Sequence, residues 1–368
     1  MGDVMNKRLI GFVLSAVALA VLPLLLQGVG HAWVRIVDVA LLYILLALGL
    51  NIVVGMAGLL DLGYIAFYAV GAYMFALLAS PHLTESFPAL AAMFPNGLHT
   101  PIWLAIPLGA GAAALAGVLL GAPPLKLRGD YLAIVTLGFG EIIRVFMNNL
   151  DAPINITNGP MGIDSIDPFS VGGVSLGEPW HIGGWVIESV TLHYYLFLAV
   201  VVLAVVLSSR LHDSRLGRAW LAIREDEIAA KAMGLNTRNL KLLAFGLGAM
   251  FGGVSGVLFA SFQGFVSPES FSLQESVMVV AMVVLGGLGH IPGVILGAFL
   301  LAALPEVLRY VAGPLQAMTD GRLDAAILRQ LLVALAMISI MLLRPRGLWP
   351  SPRHEDQMVP DSTEGGRA

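Results

Sequence analysis

An all-α bundle that crosses a membrane about ten times is predicted by three observations. Of the 368 residues, 58% are hydrophobic and only 12% charged, whereas soluble domains average about 25% charged. The apolar residues gather into about ten runs, each near the roughly 20 residues that a helix needs to cross a hydrocarbon core. These runs are continuous and lack the alternation of barrel strands, so helices are what can satisfy their backbone in lipid. The chain has no cysteine, which excludes disulfides, thiolate metal sites and cysteine nucleophiles. Its basic residues are dispersed and its net charge is -4, so no basic stripe marks it as a nucleic-acid binder. Neither paired carboxylates nor a nucleophile or metal-ligand constellation appears, so no catalytic and no metal-binding residue is expected and the chain reads as a non-enzyme.

Taken in order, a head with Lys7 and Arg8 precedes a first run over residues 9–26. That run exceeds the about 7 to 15 residues of a signal-peptide core and no Ala-x-Ala site closes it, so it reads as an uncleaved span. Spans two and three cover residues 34–54 and 56–80. Gly55, Gly58, Gly63 and Gly71 crowd this stretch, where each glycine weakens a helix by about 1 kcal/mol relative to alanine, and polar Asn51 and Asp61 favour a break. Residues 81–100 form a loop without Lys or Arg. The fourth span, 101–121, places Gly109, Ala113, Gly117 and Gly121 at four-residue spacing, a notched face that lets a neighbouring helix come close. A basic turn with Lys126 and Arg128 leads into the fifth span, 131–150. A Gly- and Pro-rich loop without Lys or Arg covers 151–189, and the sixth span covers 190–209. A charged island, residues 210–241, interrupts the apolar pattern. The seventh span, 242–262, carries Gly248, Gly252 and Gly256. The eighth, 275–288, is short and turns through His290 into a ninth ending near residue 311, with Gly289, Gly293 and Gly297. The tenth covers 325–343. One transmembrane domain is therefore expected over residues 1–350, followed by a disordered tail, 351–368.

Ten spans put both termini on one side. If that side is the cytoplasm, inner segments hold 15 of the 20 basic residues: Lys7, Arg8, Lys126, Arg128, seven in the island, Arg344, Arg346, Arg353 and Arg367. The positive-inside rule selects this orientation and places the island in the cytoplasm.

In the island, alanines surround the charged turn Arg224, Glu225, Asp226 and Glu227, the composition of a slim, exposed helix. The stretch GRAWLAIREDEIAAKAMGLN resembles the cytoplasmic coupling segment of ABC importer permeases, specifically the branched-chain amino acid permeases of the LivM type. Ala229, Ala230 and Gly234 match the general Glu-Ala-Ala motif in register, whereas Ile228 stands at the glutamate position and Glu227 lies one residue earlier. Residues 128–149, 157–163, 263–276, 283–289 and 344–350 are similar to further signatures of that family in the same order. The resemblance implies an inner-membrane protein whose partners are a second permease subunit of the LivH type, two ABC ATPase subunits and a periplasmic amino-acid-binding protein. It implies a coupling helix over Gly217 to Gly234, with Gly217, Arg218, Arg224, Glu225, Asp226, Glu227, Ala229, Ala230 and Gly234 at the ATPase contact. The chain has no G-x-x-x-x-G-K-[ST] loop, so ATP and Mg would be held by the ATPase partners and this chain needs no cofactor of its own.

Ionisable residues inside apolar runs are functional candidates. Asn51, Asp61, Tyr64 and Glu141 are the candidates for a translocation pathway. Each has a second reading: Asp61 sits near a wet span end, and Glu141 pairs with Arg144 one turn on. The two glycine ladders of the seventh and ninth spans read as packing surfaces, and Ser267, Pro268 and Glu269 as an outer docking edge for the binding protein. Two alternatives stay open. One is a permease of the same family for urea, amides or other amino acids; the other is an ion-coupled secondary transporter, to which a broken third span gives some footing.

Overall fold

The computed structural model describes residues 18–28, 30–94, 98–127, 129–171, 174–182, 185–318, 325–344 and 347–349. The basic head, the first half of the expected first span, Arg128, Arg346 and the tail 351–368 lie outside the described residues. The chain is mainly helical. In order it forms α1 (Ala18–Gly28), α2 (His31–Leu50), a π-helical turn (Asn51–Met56), α3 (Ile65–Leu78), α4 (His82–Ser86), α5 (Pro88–Met93), α6 (Ile102–Gly121) and α7 (Asp130–Asn148). It continues through α8 (Ser189–Asp213), α9 (Arg215–Glu225), α10 (Glu227–Ala232), α11 (Thr237–Gln263), α12 (Leu273–Gly286), α13 (Ile291–Met318) and α14 (Ala325–Leu343). Among the described residues, six helices are long and apolar enough to cross a membrane.

Two expectations change. The third span is not a helix from residue 56 to 80: only Ile65–Leu78 is α-helical, and an irregular stretch joins it to the π turn. The chain is also not purely α, because the 151–189 loop folds into two antiparallel hairpins, Ser170–Val171 with Val174–Ser175 and Trp180–Ile182 with Trp185–Ile187. The same loop docks back on the bundle. Ile163 bridges Val266, the Phe169 N–H donates to Ser261 Oγ at 3.1 Å, and its ring meets Phe75 at 4.9 Å.

Helices α2 and α11 are the interior of the bundle: 89% and 67% of their apolar stretches are buried, against 33% for α6 and α8. Helix α11 is gripped by α2, α3 and α6, and the grip is backbone to backbone. A Cβ on Gly71 would lie 2.1 Å from the Gly253 carbonyl oxygen, and one on Gly253 would lie 2.6 Å from that of Gly109. Such approach is how helices associate where lipid tails remove the hydrophobic drive. The notched face expected on α6 is therefore real: Gly109 and Gly117 face Val257 and Ala249 of α11. In the other ladder Gly293 and Gly297 pack against Gly286 of α12, while Gly289 stands outside the helix in a turn at φ +82°.

Candidate coupling site

Residues 210–241 form a helical arm built on the start of α11. Ser214 caps α9 by accepting from the Leu216 and Gly217 N–H groups, both at 3.2 Å. Gly217 lets α9 press on the end of α8, since a Cβ there would sit 2.3 Å from the His212 carbonyl oxygen. Trp220 is fully buried and its Nε1 donates to the Leu240 carbonyl at 2.8 Å. Arg218 donates to the Asp213 carbonyl at 3.1 Å.

Asp226 breaks the arm and starts the next helix: its Oδ1 accepts from the Ile228 and Ala229 N–H groups at 2.7 and 3.0 Å, an N-cap. Glu227 then fastens α10 to α11 by accepting from Lys241 Nζ at 2.7 Å, and from Lys231 at 3.1 Å. Burial pushes the Glu227 carboxyl up, but the hydrogen bonds and charges of Lys241 and Lys231 outweigh it and hold the group below the ordinary glutamate value. Gly234 ends the unit at φ +85° with open space around it, the left-handed C-terminal position that glycine fills without strain.

Of the residues expected to meet the ATPase, the structure divides the set. Gly217, Arg224, Glu227 and buried Ala230 are engaged with the chain's own body, and Arg218 is exposed although it bonds the Asp213 carbonyl. Glu225, Asp226, Ala229 and Gly234 are exposed, together with two residues that the sequence reading passed over, Ile228 and Met233, which are 66% and 84% exposed. Two exposed apolar side chains on a short helix at the end of an anchored arm suit a protein contact. The mismatch at Ile228 was itself the available signal.

The pathway candidates are not brought together on one surface. Asn51, Asp61 and Tyr64 are buried. Asn51 Oδ1 accepts from the Gly289 N–H at 2.9 Å. Asp61 Oδ1 accepts from the Gly63 N–H at 2.9 Å, shortly before α3 begins. The Tyr64 hydroxyl donates to the Gly248 carbonyl at 2.8 Å, bolting α3 to α11. The irregular stretch 57–64 is tolerated because neighbours satisfy its backbone: Thr136 Oγ1 accepts from the Leu62 N–H at 3.1 Å and Ser276 Oγ donates to the Leu62 carbonyl at 2.5 Å. Glu141 lies apart on α7. It pairs with Arg144 at 2.5 Å, and Arg144 also reaches Glu269 at 3.3 Å. Buried ionisable groups outside the candidates include Asp38 of α2, which is fully buried and has no hydrogen-bond partner on either oxygen among the described residues.

A bundle of helices apolar and long enough to cross a membrane, with a charged helical arm, defines a multi-pass membrane protein. The chain belongs to the family described as branched-chain amino acid transport system / permease component, whose sequence model matches residues 33–342. It is 41% identical over 353 residues to the Escherichia coli (strain K12) "High-affinity branched-chain amino acid transport system permease protein LivM", covering 92% of this chain and 75% of that one. A probable LivM of Methanocaldococcus jannaschii is 26% identical, over 84% of this chain and 90% of its own. The Salmonella typhimurium permease protein LivH is 24% identical, over 85% of this chain and 92% of its own. The family resemblance drawn from the island and the five ordered blocks therefore holds. No solved structure matches the chain.

Proposed function

We propose that this chain is one membrane subunit of an ATP-driven importer of branched-chain amino acids. It sits in the inner membrane with about ten spans and both termini in the cytoplasm, pairs with a LivH-type permease, and docks ATPase subunits on α10. Those ATPases hold ATP and Mg; a periplasmic amino-acid-binding protein delivers the substrate. The observation that carries the coupling role is the exposed Ile228 and Met233 pair at the tip of an arm that Trp220 and Glu227 fix to α11. The substrate class rests on the names of the relatives, LivM at 41% identity foremost.

Among the pathway candidates, the Glu141, Arg144 and Glu269 network supports a polar route. Its side chains are 43%, 28% and 70% exposed, and charge facing lipid is costly. This side of α7 therefore faces water or the second permease subunit. Asn51, Asp61 and Tyr64 are enclosed and act on the route through the α2–α3 break rather than as its lining. Reconstitution in proteoliposomes tests the proposal: leucine uptake should require the ATPase subunits and ATP. Uptake driven by a proton or sodium gradient without them would replace it with an ion-coupled transporter, and ATP-dependent uptake of urea or an amide in place of leucine would redirect the substrate.

A further inference from the structure

Arg224 ends α9 but does not face outward with its neighbour Glu225. Its side chain lies across Gly58, where a Cβ would sit 2.8 Å from Arg224 Cγ, and its Nη1 donates to the carbonyl of Gly55. Gly55 belongs to the π turn that ends α2. A π turn replaces the usual i to i−4 bonds with longer ones, as in the bond from the Ala57 N–H to the Ile52 carbonyl at 3.2 Å, so carbonyls near the break are open to outside donors.

The same point collects a third segment. Asn51 Oδ1 accepts from the Gly289 N–H at 2.9 Å, and a Cβ on Gly289 would lie 3.2 Å from Arg224 Nη1. A Cβ on Gly55 would collide with both Asn51 Oδ1, at 2.1 Å, and Gly289 N, at 2.6 Å. The α12–α13 turn is in turn backed by the segment after α14, whose Leu348 N–H donates to the Leu285 carbonyl at 2.7 Å. Four stretches that are far apart in sequence thus meet at one hydrogen-bonded knot: the π turn, the end of α9, the α12–α13 turn and residues 347–349.

We propose that Arg224 is a positioning residue that carries displacement of the α9–α10 arm into the two irregular joints at Asn51–Met56 and at residues 287–290. The inference rests on the reading that α10 docks an ATPase. A fixed arm with a cationic fork on an open carbonyl is a lever. Any tilt of α9 pulls on Gly55, and through Asn51 on Gly289, where glycines at 55, 58 and 289 leave no side chain to absorb the motion. The joints give way before the helices do, because their backbone is already outside regular hydrogen bonding.

The chain has no cysteine, so single labels can be placed in a complex built with cysteine-free partner subunits, at exposed Ala222→Cys on α9, outside the α10 contact, and at exposed Leu60→Cys beside the break. Each label is read with and without vanadate-trapped ADP, in native Arg224, Arg224→Gln and Arg224→Lys backgrounds. With Arg224 both labels should respond to trapping. With Arg224→Gln the Ala222 label should still respond, the Leu60 label should not, and leucine imported per ATP hydrolysed should fall about tenfold, the scale of one hydrogen bond from a charged donor. Arg224→Lys, which keeps a cationic donor, should recover part of the Leu60 response; equal loss in Lys and Gln with normal complex yield would overturn the role of the donor. A normal Leu60 response and coupling ratio in Arg224→Gln overturns the lever alone. Silence at Ala222 with native Arg224 overturns the docking reading, and the lever with it. If Arg224→Gln prevents assembly while Arg224→Lys assembles and behaves as native, the donor role stands.

Discussion

Helices α9 and α10 share one charged island, yet they bury different kinds of side chain: α9 packs its large apolar residues on the body, while α10, tied by Glu227 and buried Ala230, leaves its larger apolar residue in the open. Helix α9 turns Trp220, Ile223 and Arg224 toward its own subunit, while α10 turns Ile228, Ala229 and Met233 away from it. The boundary is Asp226, whose extended backbone at φ -154° and ψ 108° swivels the chain between the two. An island that looks uniform in composition is therefore an anchor followed by a contact, and substitutions on either side of Asp226 should fail in different ways.

The largest stability loss is expected in the anchor. Trp220→Ala empties a fully buried site and removes the indole bond to the Leu240 carbonyl, a change of about 3–5 kcal/mol, which thermal unfolding of the purified complex would register as a marked drop or as loss of yield. A wild-type melting temperature would mean that α9 is not anchored there. Next comes the clasp between α10 and α11. Glu227→Gln weakens a charged hydrogen bond to a nearly buried lysine, about 2 kcal/mol. The pH dependence has a defined sign: because the folded carboxyl is held below its ordinary value of 4.5, its contribution is complete above that value and is lost as pH falls through the folded one. The variant should therefore show a shallower loss of stability with acid than the native chain does.

Asp226→Ala removes only the α10 cap, about 1 kcal/mol. Hydrogen exchange at Ile228 and Ala229 should rise while the α9 amides stay protected; exchange rising equally in both would erase the boundary drawn at Asp226. Last on the stability scale is the contact itself. Ile228→Asp with Met233→Asp changes exposed positions and should move stability by no more than about 0.5 kcal/mol, while co-purification of the ATPase subunits falls sharply. Retained association would place the contact elsewhere.

What could be read in advance follows from the range of the forces involved. Six of the expected spans were legible because the hydrocarbon core fixes their length, and the notched α6 face because its spacing is local. The Glu141 and Arg144 pair is one helical turn apart and needed no fold, whereas Glu269, the third member, is 125 residues away and could not be foreseen. The hairpins were legible and passed over: Gly172-Gly173 and Gly183-Gly184 each sit between β-prone residues, a hairpin signal. Trp220 was hidden by the charges around it. The partner of Arg224 was beyond any sequence pattern, since it is a main-chain oxygen 169 residues away exposed by a change in helical pitch. Likewise Gly253 falls outside the four-residue ladder of Gly248, Gly252 and Gly256, yet it meets both Gly71 and Gly109; only the arrangement of neighbours reveals it.

The glycine contacts around α11 also set an order of events during synthesis. Helices α2, α3 and α6 leave the ribosome well before the helix that binds them together, and chains emerge from the N-terminal end first. Until residue 263 is inserted, the contacts that Gly253, Val257 and Ala249 make with Gly71, Gly109 and Gly117 cannot form, and α3 and α6 have only each other at these notches. The keystone of this protein is thus among its later stones: the contacts that join α2, α3 and α6 around α11 can form only when α11 arrives.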